Sequence, residues 1–255
     1  MTHLPDKPTK PDISIIIPAY NEETNISEVL RRLTKIDWPI DRIETIVVDD
    51  GSTDNTLKEA ARFPFVRLVR HKTNQGKGAA IQTGVKLSTG KVIVIQDADL
   101  EYPTEHIPQL AKPILTGAAD IVYGSRFKGK CEGMSFSHVV GNRILSLVTR
   151  ILYNVPITDV MTGHKAFRRQ VFNSFELASR GFGVEVEMTS KSLRYGWKFK
   201  EIPINYVYRS LGVSKLVYMD GVRSLLTLVA ENCKPRHSHQ SELAVRSGGK
   251  FDASA

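Results

Sequence analysis

No stretch of this chain stays apolar over the roughly 18 residues a membrane-crossing helix needs, so no span is predicted. The opening MTHLPDKPTKPD lacks the apolar segment of a secretory signal, which predicts a cytosolic chain. Cysteine is scarce: Cys131 and Cys233 lie far apart without CxxC spacing and suggest neither a disulfide framework nor a zinc site. Aromatic residues are only 8% of the chain and are not interleaved with Lys and Arg along any element. With no recognised nucleic-acid motif either, nucleic acid is not an expected partner. The patterns GxxxxGK[ST] and GxGxxG are missing too, which removes the P-loop and dinucleotide readings.

What remains is a chain of 255 residues, 41% hydrophobic and 24% charged, the composition of one soluble domain. Residues 1–12 read as a disordered leader, 13–232 as the folded domain and 233–255 as a disordered tail. The formal charge of +8 favours polyanionic partners, phosphorylated ligands or an anionic membrane face among them. Within the domain ISIII (13–17), IETIVV (43–48), FVRLV (65–69) and VIVI (92–95) alternate with helical patterns, the first from about Glu23 to Lys35. Strand and helix in turn predict an α/β fold, a mostly parallel sheet with helices on both faces. In such sheets ligands bind beyond the carboxyl ends of the strands. The segments there are PAYNEE, DDGSTDNT, HKTNQGKG and QDADLEYP.

The second half loses this rhythm. A helix is predicted from about His138 to Tyr153, with Val140, Ile144, Leu147, Val148 and Ile151 on one stripe. Others are predicted at Val184–Tyr195 and from about Lys215 to Ala230, the last with Tyr218, Val222, Leu225, Leu226 and Val229 on its stripe. Burial against the sheet is the ordinary account of such stripes. Arg143, Arg150 and Arg223 beside them also suit docking on an anionic membrane surface without a span.

Asp97 and Asp99 are two apart at a strand end, so extended geometry would send both carboxylates to one side. That arrangement suits Mg²⁺ or Mn²⁺, which takes one or two carboxylates and completes its shell with phosphate oxygens. An acidic loop that is merely solvated accounts for the same residues. Lys77, between Gly76 and Gly78 at a helix start, is placed to approach a phosphate.

Together PAYNE, VVDDGSTDNT, NQGKGAAIQTG and DADLEYP resemble the family 2 glycosyltransferases, whose Rossmann-like GT-A fold binds nucleotide-sugar donors. The resemblance implies that Pro18, Tyr20 and Glu22, with Asp49 or Asp50, hold the nucleotide, and that Asp97 and Asp99 hold the metal bridging the diphosphate. GSRFKG, GNR, DVMTGHKAFRR and RSLGVSKL resemble the polyprenyl-phosphate hexose synthases within that family, the dolichyl-phosphate mannose and glucose synthases among them. In that group Glu101 completes the metal site. The expected reaction moves a hexose from GDP-mannose or UDP-glucose to dolichyl or undecaprenyl phosphate, with inversion, on the cytosolic face of a membrane. A separate membrane-anchoring partner fits a chain without the C-terminal spans of some relatives.

A phosphate monoester is mostly a dianion at neutral pH and needs cations rather than a general base. Arg126, Arg143, Arg209 and Lys215 are the expected acceptor-phosphate ligands, with Ser214 as a donor to the phosphate or a helix cap. Asp159 is open between a catalytic base and a structural partner for an arginine. A saccharide-elongating transferase with Asp159 as base, and a noncatalytic nucleotide-sugar-binding protein, are the alternative functions.

Overall fold

The computed structural model describes residues 11–38, 40, 42–179, 183–207 and 218–233. In chain order the elements are β1 (Ile13–Ala19), α1 (Ile26–Leu33), β2 (Ile43–Asp49), α2 (Thr56–Ala60), β3 (Val66–Arg70), α3 (Lys77–Leu87), β4 (Val92–Ile95), α4 (Ile107–Leu115), β5 (Ile121–Ser125), β6 (Cys131–Glu132), α5 (Phe136–Tyr153), β7 (Lys165–Arg168), α6 (Arg169–Asn173), α7 (Gly183–Leu193), β8 (Phe199–Pro203), β9 (Tyr206–Val207) and α8 (Tyr218–Cys233). Seven strands form one sheet in the order β3-β2-β1-β4-β7-β5-β8, and β6 pairs with β9 beside it. β7 alone runs antiparallel to its neighbours β4 and β5 in that sheet. The expected mostly parallel α/β fold is present.

Alternation along the central strands divides the core. Ile13, Ile15 and Ile17 of β1 face one side with Val29, Leu30 and Leu33 of α1 and Leu110 and Ile114 of α4. Ile16 faces the other with Ile81 of α3, Val184 and Met188 of α7 and Leu228 of α8. The helix α1 forms because Ile26, Val29, Leu30 and Leu33 recur at helical spacing and bury together.

Burial of the predicted stripe on α5 is overturned except at Val148, which is half-buried against the core. Phe136 is 83%, Ile144 53%, Leu147 55% and Ile151 71% exposed, and Val140 is exposed as well. The inward face is Leu145, Ser146, Thr149 and Tyr153. Their polar atoms are satisfied without water: Ser146 Oγ accepts from Val160 N at 3.1 Å, Thr149 Oγ1 donates to Leu145 O at 2.8 Å and Tyr153 Oη donates to Leu228 O at 3.1 Å. Small hydroxyl residues bring α5 close to its neighbours, so the side with the greater hydropathy is left outside. On α8, Ser224, Leu228 and Glu231 are buried while Leu225, Leu226 and Val229 are exposed. That helix runs to Cys233, one residue into the predicted tail. No helix among the described residues is long and apolar enough to cross a membrane.

Candidate active site

The four polar segments do converge at the carboxyl edge of the sheet. Pro18 is buried in β1 and Tyr20 is exposed just beyond it. Asn21, at φ +55, accepts from Thr53 N at 2.9 Å through Oδ1 and donates its N–H to Ser52 Oγ at 3.0 Å. Glu22 N donates to Thr56 Oγ1 at 2.7 Å, so the loops after β1 and β2 are latched together. Asp49 is fully buried, accepts from Ser52 N at 3.0 Å and stands 3.2 Å from Arg70 Nε. Asp50 takes His71 Nδ1 at 2.7 Å, Gln75 N at 2.9 Å and Gly76 N at 2.7 Å, which ties its loop to the start of α3. Gly51 has φ +73, and a Cβ there would fall 2.6 Å from the Thr73 carbonyl carbon. Only glycine lets those loops close.

After β4 the chain turns at Ala98 and Asp99 instead of continuing extended, with Leu100 at φ +65. The extended spacing expected for Asp97 and Asp99 is therefore corrected to a turn. Gln96 closes it by donating from Nε2 to Asp97 O at 3.0 Å and Tyr102 O at 3.1 Å. Asp97 Oδ1 lies 2.7 Å from Lys77 Nζ. Its Oδ2 backs onto Gly163, where a Cβ would stand 2.0 Å away, so the TG of the downstream motif makes room for this carboxylate. Asp99 Oδ1 accepts from Glu101 N at 3.0 Å, and Glu101 Oε2 accepts from Tyr206 Oη at 2.7 Å.

Burial, then the negative charges of Asp97 and Glu101, push the Asp99 carboxyl up to about 8. Burial also raises Asp97, against the pull of Lys77. Lys77 Nζ lies 2.8 Å from Glu185 Oε1 as well, and Glu185 Oε2 accepts from Lys165 Nζ. Burial opposes the charge on Lys77, but Asp97 and Glu185 together hold it above the usual lysine range. Burial would raise Glu185, yet Lys165 and Lys77 hold it below the usual carboxylate range.

Towards β5, Asp159 is fully buried and takes three hydrogen bonds from Arg126, from Nε at 2.7 Å and N at 3.0 Å to Oδ2 and from Nη2 at 2.7 Å to Oδ1. The Arg126 guanidinium lies 5.1 Å from the Tyr206 ring centroid. Next to this pair an open groove is lined by Phe127, Arg143, Leu147, Arg150, Ile157 and Thr158. Arg143 stacks 5.4 Å from the Phe127 ring, and among the described residues neither Arg143 nor Arg150 forms an ion pair with a carboxylate.

The family model described as Glycosyl transferase family 2 matches residues 14–175, which contain the strand-end loops from Pro18 to Glu101 and the Arg126–Asp159 pair but not Glu185 or Tyr206. The chain belongs to glycosyl transferase family 2. This glycosyltransferase is 34% identical to the dolichol-phosphate mannosyltransferase of Pyrococcus furiosus over 80% of the chain, covering 59% of that longer protein. It is 33% identical to the undecaprenyl-phosphate mannosyltransferase of Micrococcus luteus, over 79% of the chain and 86% of that protein. Among solved structures it superposes on glucosyl-3-phosphoglycerate synthase of Mycobacterium tuberculosis with a TM-score of 0.70 and 25% identity, covering 88% of this chain and 82% of that one. That synthase has also been solved with Mn²⁺, UDP and glucosyl-3-phosphoglycerate.

Among the described residues of the glycosyltransferase no three His, Cys, Asp or Glu side chains form a closed cage for a metal ion. The donor set still fits a hard divalent cation. Asp99 and Glu101 offer carboxylate oxygens of the kind such a cation takes, and the negative charge of Asp97 and Glu101, which adds to burial in raising Asp99, is what a cation would relieve. Of the residues expected to serve the site, Pro18, Tyr20, Glu22, Asp49, Asp50, Lys77, Asp97, Asp99 and Glu101 lie on the loops and strand ends of this edge. Arg126 and Asp159 face each other, and Arg143 lies in the groove beside them. Arg209, Ser214 and Lys215 lie outside the described residues. Sequence reasoning missed Lys165, Glu185, Tyr206 and His71. Lys77 and Glu185 are 108 positions apart, and no spacing rule links them.

Proposed function

We propose that this glycosyltransferase moves a hexose from a nucleotide sugar to a polyprenyl phosphate. The observation that carries the reading is the groove, where two exposed arginines that have no carboxylate partner among the described residues sit among Phe127, Leu147 and Ile157. Its chemistry matches an acceptor that is anionic at one end and hydrocarbon at the other. The relatives named as mannosyltransferases favour GDP-mannose as donor.

Catalysis needs a nucleophile, charge neutralisation and alignment. The acceptor phosphate arrives as a dianion, so a phosphate oxygen attacks the anomeric carbon with no proton to remove, and one displacement inverts that carbon. Arg143 holds the phosphate. Arg126 is committed to Asp159 and braces the acceptor wall through Tyr206. The pairing supports Asp159 as a positioning residue rather than a base. On the donor side Tyr20 and Glu22 hold the nucleoside, Pro18, Asp49 and Asp50 are buried behind them and brace the loops there, and Lys77 faces the diphosphate. Asp99, Glu101 and Asp97 would hold Mg²⁺ or Mn²⁺, which offsets the charge developing on the departing nucleoside diphosphate.

The exposed apolar faces of α5 and α8 meet a membrane surface in this reading. Arg143 and Arg150 stand beside the α5 stripe, where anionic headgroups attract them. Attachment is peripheral and on the cytosolic side, with a membrane-anchoring partner as an optional aid. The test is incubation of purified protein with Mn²⁺ or Mg²⁺, a polyprenyl phosphate and labelled GDP-mannose, UDP-glucose or UDP-N-acetylglucosamine. Label extracted into organic solvent with GDP-mannose is expected. No lipid-borne label with any donor refutes the proposal.

A further inference from the structure

The side chains of Lys165, Glu185, Lys77 and Asp97 form a line of alternating charge from the core to the strand-end loop. They come from β7, α7, α3 and the turn after β4. Lys165 is fully buried; its Nζ donates to Val160 O at 3.1 Å and to Glu185 and lies 4.9 Å from the Tyr123 ring centroid. Lys77 Nζ is shared between Glu185 at 2.8 Å and Asp97 at 2.7 Å. The two ends differ in freedom. Glu185 is locked inside the core by Lys165, whereas the Asp97 side chain is 15% exposed at the loop.

A staple between β7 and α7 would need only the Lys165–Glu185 contact. The second oxygen of Glu185 is spent on Lys77, at the first residue of α3 and at the edge where the diphosphate is expected. A divalent cation bound beside Asp97 repels the Lys77 ammonium. A lysine held by Asp97 alone would then swing away on its flexible four-carbon stem. Glu185 gives that ammonium a second anchor, one that no cation competes for.

We propose that Glu185 is a positioning residue of the donor site, fixing the Lys77 ammonium beside the diphosphate while Asp97 answers to the metal. This rests on the nucleotide-sugar reading above. Without Glu185 the Lys77 ammonium has no anchor once the cation occupies Asp97 and leaves the diphosphate, so nucleotide and metal bind less well together.

The experiment is calorimetric titration of GDP and UDP, each with Mn²⁺, into wild type, Glu185→Gln, Lys77→Ala, the Glu185→Gln/Lys77→Ala pair and the Glu185→Gln/Lys165→Met pair, with melting temperatures alongside. Glu185→Gln and Lys77→Ala should each weaken nucleotide binding about tenfold, the loss of one charge-assisted contact. Their combination should be no weaker than Lys77→Ala. The Glu185→Gln/Lys165→Met pair removes both buried charges; it should melt closer to wild type than Glu185→Gln does, yet bind as weakly. Wild-type binding by that pair, or by a folded Glu185→Gln, would show that Glu185 serves only Lys165 and would overturn the inference alone. A wild-type protein that binds neither nucleotide would overturn the donor reading and this inference with it.

Discussion

Divalent-cation binding by this glycosyltransferase should release a proton from Asp99. In the metal-free protein burial and the neighbouring charges of Asp97 and Glu101 push that carboxyl up to about 8. At pH 7 it is then about nine-tenths protonated, and a cation must displace the proton to reach the oxygen. Apparent Mn²⁺ affinity should therefore rise close to tenfold per pH unit below pH 8, roughly 50-fold from pH 6 to pH 8, and level off above. Titrating Mn²⁺ with a nucleoside diphosphate at pH 6.5, in two buffers of different ionisation enthalpy, should report about one proton released. The same shift sets the sign of a stability effect. A carboxyl raised in the folded state contributes fully below its unfolded value near 4 and loses that contribution as pH climbs through 8. The metal-free protein should thus lose up to about 1.4 kcal/mol per pH unit from this group between those limits, and Mn²⁺ should restore the loss at pH 8. Asp99→Asn should flatten the metal-free pH dependence. A pH-independent Mn²⁺ affinity with no proton released would refute the reasoning, because Asp99 would then be ionised before the cation arrives.

Asp159→Asn leaves the buried Arg126 charge without its counter-ion and should cost about 3 kcal/mol of stability, read by urea unfolding. Its pH–rate profile should keep the wild-type shape, and loss of the fall in rate at low pH would restore Asp159 as a base. Arg143→Ala and Arg150→Ala should each raise KM for polyprenyl phosphate about tenfold with the donor KM unchanged, the signature of a lost phosphate contact. Ile144→Asp and Ile151→Glu lie on an exposed face, so the melting temperature should hardly move while flotation with anionic liposomes falls sharply. Unchanged flotation would take the membrane away from this face.

Much of the donor edge was legible because its signals are local. A β-branched run ending in polar residues marks a buried strand and its ligand loop, and four such runs define both the sheet and the edge on which the loops meet. The direction of the stripe on α5 was not legible. Hydropathy ranks side chains by their preference for water, but Ser146 and Thr149 are buried through hydrogen bonds to backbone that only the packed neighbours provide. The turn at Asp99 was equally hidden, since it depends on Gln96 reaching Tyr102 and on Leu100 tolerating a positive φ.

Local patterns in the chain set the alternation of strand and helix, the family, and the carboxylates and the helix-start lysine that gather at the sheet edge. Periodicity and short motifs are properties of neighbouring residues, and they survive in a string. Tertiary structure alone decided the partners: Glu185 and Lys165 for Lys77, Arg126 for Asp159, Tyr206 for Glu101, and solvent for the apolar side of α5. Those pairings join residues separated by tens of positions, and only the packing of helices on the sheet fixes which buried charges must neutralise one another.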